Sequence, residues 1–211
     1  MSCRPRLSVV GASVLLTCSA AAATALAQQS DGARLARLDV ATRTVVIALV
    51  DSARAARLPT DPLVGRALEG AKKGAAGDHI ISAVRGLSAE LRTAQSALGA
   101  GASPAEITSG ASALHAGLQP RDLARVRAAA THGRRKRVTM PLTVATDLVA
   151  RAVPPAVAAD VVLSLTRAGL RDDELTAFQR NVRADIERGA DPGAAAQTRA
   201  RGAILRAGHI S

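Results

Sequence analysis

The chain has 211 residues, 28 of them Lys or Arg against 17 Asp or Glu, for a formal net charge of +11. It holds no Trp, no Tyr and a single Phe, Phe178, which counts against single-stranded nucleic-acid binding, where bases stack on aromatic rings. Sugar-binding clefts built on aromatic faces lose weight for the same reason. The core must be made of Leu, Val, Ile and Ala, whose small surfaces each contribute little at about 25 cal/mol per Å².

Residues 1–27 have the order of an export signal: Arg4 and Arg6, an apolar run built on LSVVGASVLL, and Ala25-Leu26-Ala27 before Gln28. Cleavage after Ala27 leaves 26 basic residues against 17 acidic ones, a net charge of +9. It also removes both cysteines, Cys3 and Cys18, and with them disulfide and thiolate chemistry. Lipid attachment at Cys18 and an uncleaved anchor are the competing readings of this segment. No later apolar run approaches the roughly 20 residues a membrane-spanning helix needs. Arg-rich, Ala-rich usage suggests a GC-rich bacterium, so the expected compartment is the periplasm or the medium.

Residues 28–39, QQSDGARLARLD, read as a flexible lead. Helical periodicity then dominates. Ile80, Val84, Leu87, Leu91, Ala94 and Leu98 repeat at spacings of three and four, which places them on one helix face. Leu142, Ala145, Leu148 and Ala152 form another stripe, Val157, Val161 and Leu165 a third, and Leu175, Phe178, Val182 and Ile186 a fourth. Strand-like alternation is absent.

The breaks share a pattern: GASP at 101–104, GLQP at 117–120, GADP at 189–192, with AVPP at 152–155 and GLRD at 169–172 as variants. Glycine takes the left-handed conformation that ends a helix, and an apolar residue packs back on it. A polar residue then caps the next helix, with Pro in its first turn. Ser103-Pro104-Ala105-Glu106 is a capping box. Asp61 and Asp191 read as caps before Pro62 and Pro192, and Gln119 as the cap before Pro120. Lys72, Lys73, His115, Arg167 and Arg188 fall in last turns, where cations oppose the negative end of the helix dipole. The glycine spacings are irregular, so no repeat of fixed length is expected.

The expected fold is all-α: an irregular array of eight or nine short antiparallel helices joined by Gly-x-x-Pro-type turns. Closure into a globule and curvature into a superhelix both stay open at this point. The expected divisions are helical halves at 40–130 and 141–211, joined by a basic linker at 131–140. That linker breaks the turn pattern. It contains Arg134, Arg135, Lys136 and Arg137 in succession.

Enzyme motifs are missing: no HExxH, CxxC, P-loop or nucleophile elbow occurs. The stretch from Gly99 begins like GxGxxG but follows a helix and lacks the last glycine. The four histidines, His79, His115, His132 and His209, have no partner at ligand spacing, so no metal, cofactor or catalytic residue is assigned. Arg134, Arg135, Lys136 and Arg137 are the candidate site, for an anionic envelope polymer, a membrane surface or an acidic protein; the competing reading is a solvated linker. The expected function is a non-enzymatic, exported binding protein. The alternatives are a periplasmic hydrolase whose site is gathered from dispersed Asp, Glu and His, and a nucleic-acid-binding helical protein, which export disfavours.

Overall fold

The structure, a computed structural model, describes residues 31–132 and 137–208. The signal segment with Cys18, the basic residues Arg134, Arg135 and Lys136, and His209 lie outside them. Nine α-helices follow in chain order: α1 (Val40–Ala55), α2 (Asp61–Lys72), α3 (Gly77–Leu98), α4 (Pro104–His115), α5 (Pro120–His132), α6 (Thr139–Ala150), α7 (Pro155–Arg167), α8 (Asp172–Glu187) and α9 (Pro192–Gly208). A 3-10 turn, Leu35–Arg37, precedes them. That makes ten helices, slightly more than expected, and no strand among the described residues.

The periodic stripes become the buried faces. Ile80, Val84, Leu91, Ala94 and Leu98 of α3 are buried, and Leu87 sits at the margin. Leu175, Phe178 and Val182 do the same for α8. Helix α7 is buried on most of its circumference, through Ala158, Ala159, Val161, Val162, Leu163, Leu165 and Thr166. It packs against α5, α6 and α9, which explains why its sequence is apolar well beyond a single stripe.

Substantial packing runs only between helices one or two positions apart along the chain. The odd helices pair in succession, α1 on α3, α3 on α5, α5 on α7 and α7 on α9. Helices α4, α6 and α8 pair the same way in a second layer. This is the near-neighbour connectivity of a stacked helical array. The halves 40–130 and 141–211 share one apolar core, because α4 packs on α6 and α5 on α7 across the junction.

Six helix ends close by the same pair of bonds. At the end of α4, the Leu118 N–H donates to Ala113 O at 3.0 Å and Gly117 N–H to Leu114 O at 2.9 Å, with Gly117 at φ +103°. Gly74, Gly169 and Gly189 repeat the arrangement. Arg57 and Ala152 do so without glycine, at φ 57° and 64°. Ala152 is therefore an exposed helix terminator and not a member of the α6 core stripe. At 99–104 the left-handed residue is Gly99, not Gly101, because α3 already ends at Leu98.

The caps also differ in detail. Ser103 and Glu106 form the expected reciprocal box, and Asp191 accepts the Ala194 N–H at 2.7 Å. Asp61 is inside α2, whose N-cap position is Thr60. Gln119 donates its side-chain amide back to Gly117 O at 3.4 Å, and its backbone N–H donates to Asp122 Oδ2 at 3.0 Å.

The N-terminal lead is docked from residue 31 onward. Leu35 and Leu38 are buried in the core. Asp31, itself buried, accepts from Arg54 Nη2 at 2.6 Å. Two apolar anchors and a charged hydrogen bond offset the entropy cost that a polar, Gly-containing segment would otherwise keep by staying loose.

Candidate functional site

The described residues on both sides of the basic segment are tied together by one carboxylate, Glu106. Residue Glu106 falls at the third position of α4 because Ser103 caps that helix. There it is 3 % exposed, a buried carboxylate. One oxygen, Oε2, accepts the Ser103 backbone N–H at 2.9 Å and its hydroxyl at 3.0 Å. The same oxygen lies 3.0 Å from Arg127 Nη2 of α5. The other, Oε1, accepts the Val138 backbone N–H at 3.0 Å. Burial alone would raise the Glu106 pKa. The bonds from Ser103, Arg127 and Val138 outweigh that and hold it at about 2, so the carboxylate stays charged.

Glu106 thus grips the chain on both sides of the basic residues. Arg127 lies in the last two turns of α5, and Val138, fully buried, immediately precedes α6. Val138 sits where the chain has just left Arg137, which is exposed. Arg134, Arg135 and Lys136 are outside the described residues, so the structure places Arg137 alone of the four. Arg137 and the negative C-terminal end of α5 flank the segment, a position where cations are favoured. The capping box made Glu106 legible as a helix start. Its bonds to Arg127 and Val138 are tertiary and left no local signal.

Several other carboxylates pair with arginines. Asp185 of α8 accepts from Arg199 Nη2 of α9 at 2.7 Å, and Arg199 holds the Asp185 pKa below its usual value. Glu187 accepts from Arg183 Nε at 2.6 Å and is lowered likewise. Arg125 joins α5 to α7 through Asp160 at 3.4 Å. His115 Nδ1 lies 2.9 Å from Glu90. Glu90 is about 16 Å along α3 from His79, at 1.5 Å per residue, so the two histidines belong to different places. His132 ends α5.

Among the described residues, no group of three His, Cys, Asp or Glu could hold a metal ion, and no helix is long and apolar enough to cross a membrane. No known protein family matches the chain, and no curated protein or solved structure is significantly similar to it.

Proposed function

We propose that the protein is an exported, non-enzymatic helical binding protein that engages an anionic component of the cell envelope through Arg134, Arg135, Lys136 and Arg137. The observation that carries this reading is the grip of Glu106 on Arg127 and Val138, which fixes both flanks of the basic residues to the helical body. Four consecutive cations on a short connection repel one another. Holding its two ends together confines those charges to one place, which suits a polyanion or a charged surface better than a free tail would.

The four residues supply four of the nine excess positive charges that remain after removal of residues 1–27. Replacing all four by Ser is expected to reduce binding to phosphatidylglycerol-containing vesicles and leave the helical circular dichroism unchanged. Neutral phosphatidylcholine vesicles should retain neither protein. Equal binding of the variant and the natural sequence to the anionic vesicles would refute the proposal.

A further inference from the structure

A second basic feature lies at the opposite end of the array from α9. Docking of the lead against α2 leaves a recess of about 760 Å³, lined by Ala33, Arg34 and Arg37 from the lead and by Leu68, Ala71 and Lys72 from α2. That volume is within the range of small-molecule sites. Its floor is apolar: Leu68 and Ala71 are partly buried and pack on the core. Its rim is cationic. Arg34 is shared with Asp61 at 3.2 Å and Asp31 at 3.7 Å. Glu69, the one acid on the rim, faces Lys73 at 2.6 Å. Arg37 and Lys72, both exposed, make no ion pair among the described residues.

We infer that this recess binds an anionic amphiphile, its charged head between Arg37 and Lys72 and a short apolar stem against Leu68 and Ala71. Two cations without acids of their own, lining one recess together with apolar side chains, leave uncompensated positive charge where an anion would relieve it. A wholly polar anion would leave the floor wet, and a neutral apolar ligand would leave the charges uncompensated. The chain's own first 30 residues are a poor match, because they contain two arginines and no Asp or Glu.

Octyl phosphate, octyl glucoside and inorganic phosphate separate the components of this site. Titration calorimetry on the purified protein should show saturable one-to-one binding of octyl phosphate. Binding should weaken at least ten-fold in Arg37→Gln/Lys72→Gln, and be retained within about three-fold in Arg37→Lys/Lys72→Arg, which keeps both charges. Serine at 134–137 should leave it unchanged, so this site and the basic segment succeed or fail separately. Octyl glucoside binding as tightly as octyl phosphate would overturn the inference. So would inorganic phosphate matching octyl phosphate, or the glutamine pair binding as well as the natural protein.

Discussion

Glu106 Oε1 accepts the Val138 backbone N–H at 3.0 Å, a bond between residues 32 positions apart. Through it the first turn of α4 holds the start of α6, and through Arg127 the same carboxylate holds α5. Glu106→Gln should therefore destabilise the fold by about 3 kcal/mol, because it leaves Arg127 facing a neutral group and sets an amide donor against one of the two backbone N–H groups, of Ser103 or Val138, that the carboxylate accepts. Urea unfolding followed by circular dichroism measures this; a loss under about 1 kcal/mol would show that the three contacts are weak.

The same carboxylate gives an acid dependence of known sign. Its folded pKa, about 2, lies below the ordinary 4.5. The unfolded chain therefore binds the proton first, and the stabilisation is complete above about pH 4.5. It is lost as pH falls from there toward 2, an amount on the order of 2–3 kcal/mol. Glu106→Gln should lack that component, so the stability gap between the two proteins should narrow across this window. A gap constant from pH 6 to pH 2.5 would contradict the assignment.

Glycine substitutions should separate by backbone geometry. Ala152 is exposed at φ 64°, where a Cβ costs energy, so Ala152→Gly should stabilise by about 0.5–1 kcal/mol. Gly117 is at φ +103°, and a Cβ added there would stand 3.2 Å from Pro155 Cγ. Gly117→Ala should cost about 1–2 kcal/mol. Thermal unfolding midpoints should move in opposite directions for these two variants.

Space decides two further glycines. Gly110 lies where α4 meets its neighbours, and a Cβ there would sit 3.0 Å from Ala94 Cβ and 3.2 Å from Leu123 Cδ2. Gly110→Val should destabilise by about 2–3 kcal/mol. Gly86 faces open space on α3, so Gly86→Ala should stabilise by up to about 1 kcal/mol through helix propensity. Denaturant midpoints check both.

The docked lead predicts that Leu35→Ala costs about 2–4 kcal/mol, as for a fully buried leucine elsewhere in the core. A change within about 0.5 kcal/mol would mean that residues 31–38 contribute nothing to folding.

The helices were legible because a core of Leu, Val, Ile and Ala must repeat every three to four residues to face its neighbours. The terminators at Gly117, Gly169 and Gly189 were legible because glycine enters the left-handed region freely. Arg57 and Ala152 occupy the same conformation without that signature; tertiary packing of Leu58 and Val153 holds them there. Leu35 was not legible as core, since a docked turn of three residues carries no period. Glu106 showed its capping role through local spacing, whereas its partners 21 and 32 positions away belong to the packing of three helices.

Arg134, Arg135, Lys136 and Arg137 are proposed to bind an anionic partner electrostatically. This binding is tested most directly by the salt dependence of affinity for heparin, measured from low to physiological ionic strength. Log K should fall linearly with log salt, and serine at all four positions should lower both the affinity and the slope, the latter by about 3. Identical slopes and affinities for the two proteins, with unchanged helical circular dichroism, would contradict it.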